Sequence, residues 1–272
     1  MRRTFPQIKQ FRQFIFSWWK ENRRDLPWRR THDPYRILIS EVMLQQTQVS
    51  RVLPKYAEFI EAWPRVQSLA QASSADVLRL WKGMGYNRRA LYLKNAAEIV
   101  VCEYKGKFPK NEKLLAQLPG LGTYTARAIL VFAYGQEVAA VDTNVRKIIT
   151  HFFFDDTPQK ESVIQVTADA LVPSGKSWEW HQALMDYGAL ELPKFKRPEG
   201  SRRTSVPFRE SNRFFRGRIV DALRERTMKE PEFIEAFVQM YDRSEDFVRP
   251  ILNGLEKDGL IARKNGKISL PE

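Results

Sequence analysis

The sequence predicts a mainly α-helical protein with a two-part helical core, a basic linker and a small α+β domain at its C-terminal end. From residue 33 to residue 192, apolar side chains recur at helical spacing between short turns. Over residues 194–213 this periodicity stops and Pro, Gly, Ser and Arg dominate, as in a solvated linker. After the linker, three helical segments precede two short β-like segments joined by Asn265-Gly266, a strong hairpin signal.

The core helices are predicted where an apolar stripe lies between turn-forming residues. Their predicted ranges are 34–49, 51–63, 75–81, 88–104, 111–117, 123–134, 143–153, 160–171 and 178–190. An amphipathic helix precedes them, because apolar residues between Phe5 and Trp19 recur at three- and four-residue steps. Such a helix packs in a core or, as the alternative, lies on a membrane surface. We expect no secretory signal and no membrane span, since the longest apolar run, Ala128 to Tyr134, is too short.

The C-terminal domain is predicted over residues 214–272, with helices at 214–226, 231–241 and 245–257. Two strands follow at 260–264 and 267–270. Three helices and a hairpin resemble a winged helix. Winged helices bind DNA or dock onto proteins, so both a DNA contact and a repair-protein partner stay open for this domain.

The charge of the chain is concentrated in two segments. The 272 residues include 45 Lys and Arg against 32 Asp and Glu, which gives a net charge of +13. Residues 2–30 and residues 194–218 each carry nine basic and two acidic side chains. This placement favours a polyanionic partner such as duplex DNA, while an anionic membrane surface or simple solubility are the alternatives.

Cysteine and histidine usage predicts no metal centre. The one cysteine, Cys102, excludes an internal disulfide framework and a Cys-based cluster, and it fits a reducing cytoplasm. His32, His151 and His181 lack the spacing of metal ligands.

A glycine-containing turn at residues 118–125 is a candidate phosphate contact. Gly120 and Gly122 lie in a predicted turn before a helix, and Thr123 follows them. Glycine permits close approach of a phosphate oxygen to free backbone amides at the helix start. An ordinary helix cap and turn is the simpler interpretation.

Two carboxylates are candidates for acid and base chemistry. Glu41 interrupts an otherwise apolar helical segment, where an acid is costly unless it has a partner or a use. Asp142 lies just before a predicted helix and has the simpler interpretation of an N-cap. Burial would raise the pKa of Glu41, as a general acid for glycosidic cleavage requires, while a hydrogen-bonded Asp142 could stay ionised beside a cationic sugar. Their spacing alone does not establish that they meet.

Five segments in order resemble the helix-hairpin-helix DNA glycosylase superfamily (HhH-GPD), and specifically its adenine mismatch (MutY-type) branch. The segments are LPWRRTHDPYRILISEVMLQQTQV, WKGMGYNRRALYL, LPGLGTYTARAIL, AAVDTNVRKII and HQALMDYGAL, and they span about residues 20–192. The LQQTQV segment is the piece most specific to the adenine branch, while the hairpin and the VDTNV loop are shared across the superfamily. The resemblance implies a glycosylase core over residues 1–193, made of a six-helix subdomain (31–133) and a second subdomain (1–30 with 134–193).

The resemblance also implies roles for individual residues. Glu41 would protonate the target base, Asp142 would stabilise or trap the sugar cation, and Asn144 would orient Asp142 and water. Tyr124 stands where lyase-active relatives carry a Schiff-base lysine, which implies a monofunctional glycosylase. Candidates for the base pocket are Arg24, Arg29, Gln182 and His181, which stands where relatives usually have Asn. Candidate DNA contacts are Gln45, Gln46, Thr47, Gln48, Met84, Tyr86, Gly120, Gly122, Thr123, Arg202 and Arg203. The simpler interpretation of Met84 and Tyr86 is core packing. For Arg24 and Arg29 it is a solvated or salt-bridged side chain.

Two departures from the family qualify these expectations. Leu192 stands at the first of the four cysteine positions that hold an iron-sulfur cluster in most relatives, and the other three cysteines are absent. We therefore expect no iron-sulfur cluster, while a monovalent cation at the hairpin is implied by the resemblance. We also expect the winged-helix-like module to stand in place of the usual C-terminal domain that inspects 8-oxoguanine, which leaves the opposite-base preference open.

The sequence thus predicts a monomeric base-excision repair enzyme that excises adenine opposite 8-oxoguanine or guanine in double-stranded DNA after base flipping. We expect a cytoplasmic, nucleoid-associated protein without a membrane partner. One alternative is a thymine or uracil mismatch glycosylase of the same superfamily, which shares the Tyr and Asp positions. A second alternative is a non-catalytic DNA-binding protein on the same scaffold, and a third, weaker one is a peripheral membrane protein.

Overall fold

The computed structural model describes residues 8–192 and 207–272, and the chain divides into two compact units. Unit 1 comprises residues 1–41 and 108–201, and unit 2 comprises residues 42–107 and 202–272. This division differs from the predicted subdomains, which were residues 31–133 and residues 1–30 with 134–193. In the structure the segment 108–133 belongs with the N-terminal residues, and the segment 42–107 belongs with the C-terminal domain.

The helices follow one another through most of the described chain. They are α1 (Ile8–Asn22), α2 (Pro34–Leu44), α3 (Val49–Ala62), α4 (Val66–Gln71), α5 (Ser74–Leu80), α6 (Arg88–Tyr104), α7 (Glu112–Ala116), α8 (Thr123–Tyr134), α9 (Thr143–Phe153), α10 (Glu161–Leu171), α11 (Ser177–Leu190), α12 (Asn212–Glu225), α13 (Glu230–Tyr241) and α14 (Glu245–Lys257). Short 3-10 helices lie at Pro27–Arg29 and Phe208–Glu210. The strands are β1 (Met228–Lys229), β2 (Ala262–Lys264) and β3 (Lys267–Ser269). The mainly α prediction with a small C-terminal sheet is confirmed.

Four local features differ from the sequence prediction. Helix α4 and strand β1 were not anticipated, since each is too short to show a clear period. The segment predicted as a linker up to residue 213 contains a 3-10 helix and the start of α12 at Asn212, where Ser211 caps the helix by accepting from the Phe214 N–H. Helix α2 ends at Leu44 rather than at residue 49.

The early end of α2 has a long-range cause. The buried Arg89 guanidinium donates to the carbonyls of Val42, Met43 and Gln45 at 2.7, 3.1 and 2.6 Å. These carbonyls would otherwise accept from the next helical turn. Gln46 adopts the left-handed backbone conformation (φ 52°) and completes the break.

The core of unit 1 is built on α1, α9, α10 and α11. Phe11 and Ile15 of α1 are fully buried, and the Phe11 ring lies 5.3 Å from Phe152 and 5.8 Å from Trp180. Arg12 donates to the carbonyls of 170–172 at the end of α10. The N-terminal amphipathic helix is therefore a core helix, and the membrane-surface alternative for it was wrong.

Unit 2 contains the C-terminal three-stranded antiparallel sheet, in the order β1-β3-β2. Ile268 of β3 pairs with Met228 on one side and Arg263 on the other. Asn265 and Gly266 both have positive φ, at 53° and 69°, as a two-residue hairpin turn requires. The predicted hairpin is confirmed. No helix in the described ranges is long and apolar enough to cross a membrane.

Candidate active site

Glu41 lies near the end of α2 and is almost fully buried, at 7% exposure. Its neighbours Leu38 and Ile39 are fully buried as well, so the helix carries the carboxyl group into an apolar environment. Burial raises the pKa of Glu41 to about 7, a hydrogen bond from Tyr124 opposes the rise, and the nearby charge of Asp142 adds to it. Glu41 can therefore hold a proton at neutral pH, as a general acid must.

Tyr124 lies in the first turn of α8, directly after the glycine turn. Its hydroxyl hydrogen-bonds to Glu41, and its pKa is raised well above the ordinary value by burial and by the charges of Glu41 and Asp142. Tyr124 thus remains a neutral donor. The interaction connects α8 to α2 within unit 1 and fixes the Glu41 carboxyl group.

Asp142 is the N-cap of α9, as its simpler interpretation predicted. One carboxylate oxygen accepts from the backbone N–H groups of Asn144 and Val145 at 2.9 and 2.7 Å. Burial raises the pKa of Asp142 above its ordinary value, and these two hydrogen bonds and the charge of Lys147 offset only part of the rise. The cap role and a catalytic role are compatible, because the two backbone donors fix the carboxylate.

The structure therefore brings Glu41, Tyr124 and Asp142 together, which their positions in the sequence could not establish. The charge of Asp142 raises the pKa of Glu41, so Asp142 acts electrostatically on the Glu41 carboxyl group. Environments that separate the protonation of two carboxyl groups are typical of acid-catalysed glycosidic cleavage.

The loop before Asp142 is held by the buried His181 of α11 and the exposed Asp169 of α10. His181 of α11 is only 1% exposed; its Nε2 accepts from the Ala140 N–H at 3.0 Å and its Nδ1 lies 2.7 Å from the Ser177 carbonyl. Burial lowers the pKa of His181 to about 4, so the ring is neutral and donates through Nδ1. Asp169 accepts from the Ala139 N–H at 2.8 Å. His181 was predicted to tune a base pocket, and its observed contacts position the loop that carries Asp142.

Asn144 lies in the first turn of α9 and packs against α11. A Cβ atom at Gly188 would lie 2.7 Å from the Asn144 Cβ, so only glycine permits this approach. Gly188 lies within the HQALMDYGAL segment, and no role was predicted for it. A glycine inside a helical pattern was the available signal.

Arg24 and Arg29 meet Asp186, a fully buried carboxylate on α11. Arg29 donates to both Asp186 oxygens at 2.8 Å, Arg24 donates to one of them, and the Trp19 indole donates at 2.8 Å. Burial alone would raise the pKa of Asp186, but Arg29 and Arg24 hold it below its ordinary value. This network explains both arginines structurally, and a direct contact with a base stays a prediction. Gln182 is buried on α11 at 4% exposure.

The hairpin residues have the exposure that a phosphate contact needs. Gly120, with φ 76°, and Gly122 and Thr123 are exposed. The first backbone hydrogen bond of α8 runs from the Ala126 N–H to the Gly122 carbonyl at 3.0 Å, so the amides of residues 123–125 precede the helical ladder.

The remaining predicted DNA contacts in the described chain lie in unit 2. Gln46 and Gln48 are exposed, while Gln45 and Thr47 are half-buried. Tyr86 is 39% exposed, whereas Met84 is 2% exposed and packs in the interior, which fits its simpler interpretation. Arg202 and Arg203 lie outside the described residues.

Arg89 is a residue that the sequence analysis missed. Besides the carbonyls near the end of α2, its guanidinium donates to Thr47 Oγ1 at 3.1 Å and to the Met84 carbonyl at 3.0 Å. It therefore holds both candidate DNA-contact segments of unit 2, residues 45–48 and 84–86. Its partners lie up to 47 positions away, so no local pattern indicates them.

Within residues 8–192 and 207–272, no group of three or more His, Cys, Asp or Glu side chains could hold a metal ion. The fold is a mainly helical one with two carboxyl groups beside Tyr124, and comparison with known proteins gives the family. Residues 39–173 match the model of the HhH-GPD superfamily base excision DNA repair proteins.

Two curated relatives and one solved structure are similar to the chain. The adenine DNA glycosylase of Mycolicibacterium smegmatis is 43% identical over 178 residues, which is 64% of this chain and 61% of the relative. The adenine DNA glycosylase of Mycobacterium tuberculosis is 36% identical over 234 residues, 77% of each chain. A structure of a thermostable thymine-DNA glycosylase has a TM-score of 0.64 and 33% identity, over 67% of this chain and 86% of its own. The chain belongs to the HhH-GPD superfamily of base excision DNA repair proteins.

Proposed function

We propose that the protein is a monofunctional DNA glycosylase that excises adenine mispaired with 8-oxoguanine or guanine from double-stranded DNA. The observation that carries the proposal is the buried Glu41, which is hydrogen-bonded to Tyr124 and lies within the electrostatic reach of Asp142. The two adenine DNA glycosylases with 43% and 36% identity support adenine as the base.

In the proposed reaction, the target nucleotide leaves the base stack and enters the site. The Glu41 carboxyl group gives its proton to a ring nitrogen of adenine, and the C1′–N bond breaks with its electron pair going to the base. Asp142 stabilises the oxocarbenium ion at the sugar, and Asn144 helps orient a water that adds to C1′. The water proton returns to a carboxylate, and the products are free adenine and an abasic site.

The proposal includes the absence of strand-cleaving lyase activity. Lyase chemistry of this class needs an amine that forms an imine with the sugar, and the Tyr124 phenol cannot form one. In this chain the Tyr124 hydroxyl is engaged with Glu41 instead.

We further propose that the enzyme works without an iron-sulfur cluster. The sequence has one cysteine, the exposed Cys102, which cannot supply four thiolates. Hard cations bind oxygen ligands, and the hairpin at residues 118–123 has backbone carbonyl oxygens. A monovalent cation there is therefore compatible with the residues. We propose action as a monomer at the nucleoid in the cytoplasm, consistent with the net charge of +13.

Thymine or uracil excision is the second candidate, because a thymine-DNA glycosylase structure shares 33% identity and a TM-score of 0.64 with the chain. The non-catalytic alternative is less favoured, since both carboxyl groups and their partners are in place.

A panel of end-labelled duplexes distinguishes these functions. The duplexes carry A opposite 8-oxoguanine, A opposite G, T opposite G and U opposite G, and each reaction is divided between alkali and no alkali before electrophoresis. The proposal predicts cleavage of the adenine strand only after alkali. Release of T or U would favour the second candidate, cleavage without alkali would contradict a monofunctional enzyme, and binding without cleavage would favour the non-catalytic scaffold.

A further inference from the structure

The C-terminal domain is attached to the segment that carries Tyr86. Both belong to unit 2. Arg224 of α12 is buried at 7% exposure and donates to the Leu78 carbonyl at 2.8 Å and to Asn87 Oδ1 at 2.9 Å. Lys82 also pairs with Glu225 at 2.9 Å. Helix α12 therefore contacts the chain on both sides of the segment 83–86.

The segment 83–86 has an unusual backbone. Gly83, Gly85 and Tyr86 have φ values of 88°, 68° and 45°. The left-handed conformation is accessible to glycine but costs energy for tyrosine. Tyr86 stays in this conformation because neighbouring groups hold it: the Arg89 guanidinium donates to the carbonyls of both Met84 and Gly85.

Arg213 of α12 reaches the side chain of Tyr86. Its guanidinium carbon lies 4.6 Å from the centre of the Tyr86 ring, and the same guanidinium donates to the Tyr86 hydroxyl. Arg213 also lies 4.9 Å from the Phe208 ring. Among the residues that the structure describes, no carboxylate pairs with Arg213, so its charge acts mainly on the aromatic rings.

We propose that Arg213 is a positioning residue through which the C-terminal domain sets the orientation of the Tyr86 ring, and thereby the preference for the base opposite the excised one. The inference rests on the proposed function, and on Tyr86 being a DNA contact of that enzyme, as the family resemblance implies. The Arg89 guanidinium carbon also lies 5.7 Å from the centre of the Tyr86 ring, so two cations flank the ring, but only Arg213 belongs to the C-terminal domain and bonds its hydroxyl. An exposed ring that is flanked by cations and hydrogen-bonded through its hydroxyl has a favoured orientation for stacking on a base. The domain thus contributes to specificity without reading the base itself.

The experiment compares Arg213→Ala with Arg249→Ala in the full-length chain. Both arginines are exposed and lie in the same domain, but Arg249 pairs with Glu245 on α14. Single-turnover excision is measured for adenine opposite 8-oxoguanine and opposite guanine, and binding constants are measured for both duplexes. We expect Arg213→Ala to change the ratio of the two rates, and of the two binding constants, by about fivefold. Arg249→Ala should leave both ratios within about twofold of the wild type.

Two further variants test the route through Tyr86. Arg213→Lys keeps the cation and should restore part of the ratio. The double variant Arg213→Ala with Tyr86→Ala should show the same ratio as Tyr86→Ala alone, because both substitutions act on the same ring.

The outcomes separate the inference from the proposed function. If the wild type excises adenine and Arg213→Ala leaves the rate and binding ratios unchanged, the inference is overturned and the proposed function stands. Additive effects of Arg213→Ala and Tyr86→Ala on the ratios would have the same meaning. If the wild type excises no adenine, the proposed function fails. In that case the binding ratios still decide whether Arg213 acts through Tyr86.

Discussion

In the described residues, the buried carboxyl groups lie in unit 1, together with the buried Arg29 that pairs with one of them, whereas the buried charged groups of unit 2 are all cations. In unit 1, two arginines pair with Asp186. By contrast, no cation contributes to the pKa of Glu41, which is about 7. Unit 2 buries guanidinium groups, and Arg89 and Arg224 bind backbone carbonyls of neighbouring segments. Burial lowers the pKa of Arg89 to about 10, which leaves it charged at neutral pH.

This difference indicates which buried groups can transfer a proton and which can only stabilise the fold. A carboxyl group with a pKa near neutrality can exchange a proton during a reaction, whereas a guanidinium keeps its charge and its hydrogen-bond geometry. Unit 1 therefore carries the groups suited to chemistry, and unit 2 carries segments suited to contact. Substitutions in unit 1 should change rates and pH dependence, and those in unit 2 should change stability and binding.

The largest expected effect is the loss of excision in Asp142→Asn. Asparagine can still cap α9 through its side-chain oxygen, so the fold and duplex binding should survive. It cannot stabilise the sugar cation with a full charge, and we expect single-turnover excision to fall on the order of 10³-fold. Asp155→Asn is the matched control, because Asp155 is exposed and its left-handed backbone (φ 47°) tolerates asparagine. Near-normal turnover by Asp142→Asn would remove Asp142 from the mechanism.

In unit 2, Arg89→Met should destabilise the fold. The substitution leaves the carbonyls of Val42, Met43 and Gln45 without their donor inside the protein, and we expect a loss of about 4 kcal/mol in the free energy of unfolding. Urea denaturation measures the loss. Arg88→Met is the control, since Arg88 is exposed and has a single ion pair at 3.5 Å. Equal stability of the two variants would show that Arg89 does not hold these segments.

Glu41→Gln should slow excision and yet stabilise the protein at high pH. The folded protein binds the Glu41 proton up to about pH 7, whereas the unfolded chain releases it near the ordinary glutamate pKa of 4.5. Stability is therefore lost as the pH rises between these values, by about 3 kcal/mol in total. Glutamine does not titrate, so the variant should be more stable by about this amount at pH 8 and no more stable at pH 4. Urea denaturation at both pH values measures the stability of the variant and of the wild type. Glu103→Gln, at an exposed site, is the control. A stability difference between Glu41→Gln and the wild type that is the same at both pH values would contradict the prediction.

The smallest expected effect comes from neutralising Arg202 and Arg203, which lie in the basic segment 194–218. If each contacts one phosphate, the slope of log binding constant against log salt concentration should fall by about 2. Binding to all duplexes should weaken equally. An unchanged slope would show that these residues do not contact the backbone.

Much of the fold was predictable, because helical periodicity is a local property. Helices α6, α8, α9 and α14 have their predicted bounds, and the Asn265-Gly266 turn lies where the dipeptide indicates. The end of α2 was not predictable. It depends on Arg89, which lies more than 40 positions away along the chain.

The same limit applies to the candidate site. Glu41 and Asp142 could be selected by an acid in an apolar helix and by a cap position, but their proximity depends on tertiary packing. The roles of His181 and Gly188 in the candidate site could not be predicted either. The histidine accepts from a backbone N–H 41 positions earlier, and the glycine accommodates Asn144, so neither role is visible in the local sequence.

The pH dependence of single-turnover excision tests the central claim most directly, with adenine opposite 8-oxoguanine as the substrate. If Glu41 is the general acid, its protonated fraction limits the rate, and the rate should fall about tenfold for each pH unit above about 7. The same protein with Glu103→Gln should give the same profile. A rate that stays constant from pH 6 to about pH 9 in saturating enzyme would contradict the assignment of Glu41 as the proton donor.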